Sequence, residues 1–134
     1  MSIQEQALDL INRCDIGMIG NVDELGRPQI KALMKTKNEG LKEFWFCSNT
    51  SAKRTSQIEK NENTCLYFQE GWKGVMLRGV AELSYDDVRR KSFWDDVMFR
   101  YYPEGPLDPD FVLIKFTATS GNYYEKMKNE DFEI

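Results

Sequence analysis

Short apolar segments separated by turn-forming residues most strongly limit how this chain can fold. Residues 16–22 (IGMIGNV) are followed by the turn DELGRP and by residues 29–36 (QIKALMKT), where apolar and polar side chains alternate. Two such segments around a turn are typical of a β-hairpin. Four more segments predict strands, at residues 43–48, 64–69, 75–83 and 111–119. We therefore predict a mainly β fold, an antiparallel barrel of six strands with peripheral helices.

Three helices are predicted around these strands. The first is capped by Ser2 and ends near Asn12, the second covers residues 51–60, and the third is capped by Ser84 and ends near Arg100.

Smaller features are predicted along the chain. Residues 37–42 are expected to form a turn, and Gly79 a β-bulge or a close approach of two backbones. The last strand is apolar on both faces at residues 112–114, which predicts a central strand. Residues 120–127 are expected to add a helical turn, and residues 129–134 to be frayed.

The composition fits a folded cytoplasmic protein. A hydrophobic fraction of 41% and an aromatic fraction of 13% are typical of a globule, and 134 residues fit one domain, residues 1–134. The cysteines, Cys14, Cys47 and Cys65, have neither the number nor the spacing of a disulfide framework or a metal site. The N-terminus lacks signal-peptide features, and no apolar run is long enough to span a membrane. We expect a reduced protein without a membrane partner or a metal.

The chain contains no histidine. This removes the commonest general base, the Ser-His and Cys-His nucleophile pairs, and most zinc and iron sites. If the protein is an enzyme, a bound cofactor is expected to supply the chemistry.

Residues 44–61 (FWFCSNTSAKRTSQIEKN) predict a strand, a polar turn and the start of a helix. The first helical turn carries Lys53 and Arg54, and there unpaired N–H groups and the helix dipole favour an anion. Polar side chains in the preceding turn, Ser48, Asn49 and Ser51 among them, would add hydrogen-bonding groups. This arrangement is typical of a phosphate site, although a capped surface helix with two solvated cations has the same pattern.

Positive charge is concentrated around this stretch. The net charge of −4 argues against a nucleic-acid partner, which would require a broad basic face. Residues 27–60 nevertheless contain eight Lys and Arg residues against three acidic residues. The local surplus indicates a small anion as the ligand.

Four segments follow one another in an order that identifies a family. They are GRPQIKALMKT (26–36), FWFCSNTSAKRTSQIEKNENTCLYFQ (44–69), GVMLRGVAEL (74–83) and YYPEGPLDPDFVLIKFTATSGNYYE (101–125). Together they resemble the pyridoxamine 5'-phosphate oxidase-like FMN-binding split barrels, in particular the small general stress proteins. The resemblance implies a six-stranded antiparallel split barrel and a homodimer with FMN at the subunit interface. Pyridoxamine phosphate oxidation itself is not expected, because the true oxidases have a basic C-terminal segment where this sequence has the acidic NEDFEI.

The resemblance also implies cofactor contacts. Lys31 and the pair Lys53 and Arg54 fall on positions that bind the FMN phosphate, and the register leaves open which member of the pair is the main contact. The remaining candidate contacts are the backbone of Ala32, Leu33 and Met34 along the flavin ring, and Cys47, Ser48, Asn49, Ser51, Gly74 and Tyr124.

Two of these positions depart from the family pattern. Gly74 stands where the larger oxidases present an amide side chain, and Tyr124 stands where the subfamily often has a tryptophan that contacts the ring from the partner subunit.

Three functions are consistent with these residues. The first is a flavin-dependent oxidoreductase or stress-related redox protein, and the second is a stress protein that binds or sequesters flavin without catalysis. The third is a barrel that has lost its cofactor, which the presence of Lys31, Ser51, Lys53 and Arg54 argues against. The electron donor, the acceptor, the substrate and any catalytic residue stay open.

Overall fold

In the computed structural model, which describes residues 1–134, seven antiparallel strands form a single sheet. The strands are β1 (Ile16–Val22), β2 (Pro28–Glu39), β3 (Glu43–Asn49), β4 (Asn63–Glu70), β5 (Lys73–Ser84), β6 (Phe111–Glu125) and β7 (Lys128–Glu133). The helices are α1 (Ile3–Asn12), α2 (Lys53–Lys60) and α3 (Asp87–Ser92), followed by a 3₁₀ helix at Asp96–Arg100.

The sheet closes into a barrel of six strands. Its order is β3-β2-β1-β4-β5-β6-β7, and an additional pairing of β3 with β6 closes the ring, with β7 outside it beside β6. The mainly β, six-stranded antiparallel barrel is therefore confirmed. Strand β6 pairs with β3, β5 and β7, which also confirms its central position.

The barrel is split between β2 and β3. Pairing of these strands begins only at Lys35, where a β-bulge interrupts it, so residues 28–34 of β2 are paired with β1 alone. The N–H of Lys35 donates to the Asp15 carbonyl on the β1 side at 2.9 Å. Because backbone groups alternate along a strand, those of Ile30, Ala32 and Met34 face the split.

The interior of the barrel is filled by aromatic and aliphatic side chains. The ring of Phe44 lies 5.6 Å from that of Phe68 and 6.2 Å from that of Phe116, measured between centroids. Leu10 and Ile11 of α1 are completely buried against this cluster, which explains the apolar stripe of that helix. Complete burial of one such side chain contributes about 1.5–3 kcal/mol.

The predicted third helix and the predicted turn at residues 37–42 differ from the structure. The third helix is broken into α3 and the 3₁₀ helix, and its cap is Asp86, which accepts from the Arg89 N–H at 2.8 Å, and not Ser84. The turn between β2 and β3 is confined to the residues around Gly40, since β2 continues to Glu39.

The C-terminal prediction is also wrong. Residues 120–125 extend β6 instead of forming a helical turn, and residues 128–133 form β7 instead of a frayed end. The connecting residues Lys126 and Met127 have positive φ angles of 52° and 68°, as a two-residue type I′ hairpin requires.

The predicted close approach at Gly79 is confirmed. A Cβ at this position would lie 2.0 Å from the carbonyl oxygen of Thr117, and the β5–β6 register shifts between Arg78 and Gly79. Only glycine lets the two backbones meet in this way.

None of the helices combines the length and the apolar character that crossing a bilayer would require.

Candidate functional site

A cavity of about 350 Å³ opens at the split, between β2 and the start of α2. Three cations line it: Lys31 from β2, and Lys53 and Arg54 from α2. Lys31 reaches it because it shares the inward-facing side of β2 with Leu33, which packs against the barrel core. The four other lining residues are Asn21, Gln29, Ala52 and Gln57. The cavity therefore has three basic side chains and no acidic one.

The N-terminus of α2 adds unpaired hydrogen-bond donors. Its N-cap is Ala52, which has no side chain able to accept a hydrogen bond from the helix. No group of the chain accepts a hydrogen bond from the backbone N–H of Lys53 or Arg54. These donors and the positive end of the helix dipole favour a bound oxyanion.

Arg54 is the most constrained of the three cations. One terminal nitrogen donates to the Ser48 hydroxyl at 2.8 Å, but the buried Nε has no hydrogen-bond partner. Burial lowers the pKa of the guanidinium, although an arginine stays protonated at neutral pH. A half-buried cation with a free buried donor is costly in isolation, and an anionic ligand would offset that cost.

The turn before α2 is held by the loop before β6. The Asp110 carboxylate accepts from the Thr50 hydroxyl at 2.8 Å, from the Ser51 N–H at 3.0 Å and from the Ser51 hydroxyl at 3.3 Å. The Tyr102 hydroxyl donates to the Ser48 carbonyl at 3.0 Å. These bonds fix the position from which Arg54 and the helix start face the cavity.

Amide side chains form another wall of the cavity and were not predicted as site residues. The Asn21 Nδ2 group donates to Oε1 of Gln57 at 2.9 Å, and both residues are buried. Gln29 lies beside them. The available signal was Asn21 itself, a polar residue on the buried face of an otherwise apolar strand. Amides at this place suit hydroxyl groups next to an anion.

The other predicted contacts of this region have different surroundings. Asn49 donates to the Ser51 hydroxyl at 2.7 Å, so both side chains serve the turn beside the cavity. The Cys47 thiol accepts from the Thr36 hydroxyl at 3.5 Å and does not line the cavity. Burial raises the pKa of Cys47, which keeps it a neutral thiol at neutral pH. This is consistent with a packing role.

Gly74 and Tyr124 lie together but away from the cations. They are direct cross-strand partners on β5 and β6. Tyr124 lines a second cavity of about 570 Å³, which we call the Trp72 cleft, together with Tyr67, Gln69, Gly71 and Trp72. The two cavities share no lining residue, so the predicted contacts fall into two groups within one chain.

The outer surface of β1 and β2 carries exposed apolar side chains. Ile16 is 56% exposed, Ile30 66% and Met34 72%. Ile16 and Met34 are direct cross-strand partners, and the pair Met18 and Ala32 continues the same row. We call this surface the outer apolar face. Contiguous exposed apolar surface of this kind is typical of an interaction surface.

The fold and the site define a split-barrel protein with a basic cavity at its split. The model of the family described as pyridoxamine 5'-phosphate oxidase like matches residues 3–132. The chain therefore belongs to this family.

Solved structures agree with this assignment. A Clostridium acetobutylicum protein related to general stress protein 26, of the pyridoxinephosphate oxidase family, is 39% identical with a TM-score of 0.88, over 98% of this chain and 94% of that one. General stress protein 26 of Bacillus anthracis is 20% identical with a TM-score of 0.82, over 100% of both chains. A haem-binding protein of Mycobacterium smegmatis is 14% identical with a TM-score of 0.80, over 99% of this chain and 58% of that one. The last two show similarity of fold alone, and no curated protein matches the sequence.

Proposed function

We propose that the protein binds FMN as a homodimer and acts as a flavin-dependent oxidoreductase or redox protein other than a pyridoxamine phosphate oxidase. The observation that carries the proposal is the cavity at the split. Lys31, Lys53 and Arg54 line it beside the start of α2, where the backbone N–H groups of Lys53 and Arg54 have no acceptor in the chain. This set of groups fits a phosphate monoester.

The chain offers complementary groups for the rest of the cofactor. The amides of Asn21, Gln29 and Gln57 suit the hydroxyls of a ribityl chain. The backbone groups of Ala32 and Met34 that face the split suit the polar edge of the flavin ring. When bound, FMN would supply hydride-accepting chemistry, and the protein would anchor the phosphate and orient the ring.

Two features support a dimer. The outer apolar face borders the split, and a second copy of the chain would cover it. In addition, the two groups of predicted contacts are separate within one chain, as expected if one FMN were contacted by one group from each subunit.

A titration with FMN and riboflavin tests the phosphate site. Lys53→Ala/Arg54→Ala should weaken FMN binding by about two to four orders of magnitude, since each charge-assisted contact contributes about 1.5–3 kcal/mol. Riboflavin lacks the phosphate and should bind almost equally to the parent protein and to the double variant. Lys60→Ala, at the other end of α2, is the matched control. Equal losses for the two flavins would refute the phosphate role.

Flavin storage without catalysis is the second candidate. The only charged side chains that line the cavity are cations, so the cavity itself offers no general base. Anaerobic addition of NADH or NADPH to the FMN-loaded protein separates the candidates. Bleaching of the flavin absorbance, reversed by an added acceptor, supports an oxidoreductase, and a flavin that no donor reduces supports storage.

Haemin is an informative second ligand, because a haem-binding protein of Mycobacterium smegmatis has the same fold. Its effect on the melting temperature of the protein is compared with that of FMN. The chain has no histidine, so a common axial ligand of haem iron is absent. We expect FMN to raise the melting temperature and haemin to leave it unchanged.

A further inference from the structure

Arg90 of α3 is a buried arginine that lies outside the cavity at the split. It is 8% exposed, and one terminal nitrogen donates to the carboxylate of Asp87, one turn earlier in the helix, at 2.8 Å. Its buried Nε has no hydrogen-bond partner. Burial of a guanidinium with a free donor is costly, and an apolar side chain would pack at lower cost. The other bonds of Arg90 therefore indicate what requires an arginine at this position.

The second terminal nitrogen of Arg90 reaches the start of β6. It donates to the carbonyl of Phe111 at 3.2 Å and, more weakly, to that of Asp108 at 3.5 Å. Because the Asp110 carbonyl bonds to the turn after β3, the Phe111 carbonyl faces the opposite side, toward β5. Pairing with β5 ends at Leu113, so no strand donates to the Phe111 carbonyl there. Arg90 supplies the missing donor.

Asp108 fixes the loop between Arg90 and the turn beside the cavity. Its buried carboxylate accepts from the Glu104 N–H at 3.0 Å and from the Asp110 N–H at 2.9 Å. The Asp110 carboxylate in turn accepts from Thr50 and Ser51, directly before α2. Hydrogen-bonded groups therefore form a continuous series from α3 to the turn that precedes α2.

We infer that Arg90 is a positioning residue of the anion site. It holds the loop before β6, and through Asp108 and Asp110 it fixes the start of α2. The identity of the ligand rests on the proposed function, whereas the link from Arg90 to the turn is a property of the chain alone. Without Arg90, binding of the phosphate would have to order the helix start, which lowers affinity. The loss should concern the phosphate and spare the flavin ring, because the loop holds only the helix start.

Two adjacent arginines of α3 provide a matched test. Arg89 has its guanidinium 4.5 Å from the centre of the Trp45 ring and makes no side-chain hydrogen bond to the loop. The measured quantity is the phosphate preference, which is the Kd for riboflavin divided by the Kd for FMN. We expect Arg90→Met to lower it by about tenfold, the scale of one coupled interaction. Arg89→Met should leave it unchanged. A general loss of stability would weaken both flavins equally and leave the ratio as it is.

A double variant tests whether Arg90 acts through Asp110. In an Asp110→Ala background, Arg90→Met should change the phosphate preference by less than about twofold, because the link is already broken. Arg90→Lys retains one donor for the loop carbonyls and should give a value between those of Arg90→Met and the parent. It takes the place of Arg90→Met if that variant does not fold.

Hydrogen exchange in the ligand-free protein tests the link without a flavin. The Ser51 N–H, which donates to Asp110, should exchange about tenfold faster in Arg90→Met than in the parent, relative to the N–H of the buried Leu66 in β4. Arg89→Met should not change this ratio of exchange rates.

Three results would overturn the inference. They are an unchanged phosphate preference in Arg90→Met, an undiminished effect of Arg90→Met in the Asp110→Ala background, and unchanged exchange at Ser51. If the parent protein binds neither flavin, the proposed function fails, and the exchange at Ser51 alone decides the role of Arg90. Failure of one proposal is therefore distinguishable from failure of the other.

Discussion

Arg54 carries a charge that the chain alone does not neutralise. Its one side-chain hydrogen bond goes to a neutral hydroxyl, its Nε has no partner, and burial lowers its pKa. Partial burial of a charge without a counter-ion is costly, so an apolar residue of similar length at this half-buried position should be neutral or stabilising. If FMN binds here as proposed, the site trades stability of the free protein for ligand binding, as functional sites often do.

We predict that Arg54→Met keeps or slightly raises the melting temperature of the free protein, by up to about 4 °C. The same variant should lose most of the increase that FMN produces in the parent protein, because the ligand no longer meets the guanidinium. Thermal denaturation with and without FMN measures both effects. A large drop in the melting temperature of the free variant would show that Arg54 is a structural residue.

Asp110 acts on the site through the turn that it holds. We predict that Asp110→Ala destabilises the protein by about 1–2 kcal/mol at neutral pH, because it removes three hydrogen bonds to a charged but accessible group. It should also weaken FMN binding, since the helix start is no longer fixed. Urea denaturation measures the first effect, and Glu24→Ala, at an exposed carboxylate without hydrogen bonds, is the control.

The stability contribution of Asp110 should depend on pH in a defined direction. Hydrogen bonds from Thr50 and Ser51 lower the pKa of its carboxyl group in the folded protein. Its contribution is therefore complete above the unfolded pKa of about 3.9 and is lost as the pH falls through the lower folded value. The difference in stability between parent and Asp110→Ala should shrink over that acidic range. A difference that stays constant below it would contradict the assignment.

At the residue scale, charge and helix position predicted Lys53 and Arg54 as a basic pair, whereas the family resemblance predicted Lys31. Lys31, Lys53 and Arg54 indeed line one cavity. The amides of Asn21 and Gln57 could not be predicted, because they meet only when α2 packs across β1. The sequence signals only that Asn21 is a polar residue on a buried strand face, and long-range packing supplies its partner Gln57.

At the element scale, strand pairing constrains β5 and β6 most tightly at Gly79. We predict that Gly79→Ala destabilises the protein by about 3 kcal/mol or prevents folding, because the new Cβ would overlap the Thr117 carbonyl and backbone cannot move aside cheaply. Gly40→Ala is the matched control: its φ is +56° but nothing lies within 4 Å of the added Cβ. It should cost about 1–2 kcal/mol from backbone strain alone. Equal unfolding free energies for the two variants, measured in urea, would contradict the steric explanation.

The elements themselves show where local patterns are sufficient. All six predicted strands exist, because each has an apolar side that the barrel buries. The apolar pattern did not predict the strands at residues 120–133, which are the end of β6 and β7. The side chains of β7 are mostly polar or acidic, and β7 pairs only with β6. The pattern also did not predict the end of α3. There the side chain of Trp94 packs against Tyr102 and Phe111, and the helix ends. In both places tertiary contacts decide the structure against local preference.

At the scale of the whole molecule, the outer apolar face is the largest departure from a solvated barrel. A strand with one face in the core normally exposes polar residues on the other face, yet Ile16, Ile30 and Met34 are exposed on neighbouring strands. The face continues to Tyr67, the cross-strand partner of Met18, and so reaches the Trp72 cleft. A second copy on this face would connect the cation cavity of one subunit with the cleft of the other.

We therefore predict that Ile16→Glu converts a dimer into a monomer. A two-fold axis would place the introduced charge twice in one apolar interface, where each unpaired carboxylate is costly to bury. Light scattering should report twice the chain mass of 15.7 kDa for the parent and the single mass for the variant. Val88→Glu, at an apolar residue of α3 that is 76% exposed, is the control and should stay dimeric.

If FMN lies between the subunits, Ile16→Glu should also lose FMN although it keeps Lys31, Lys53 and Arg54. A monomer that binds FMN as tightly as the parent would place the whole cofactor site within one chain.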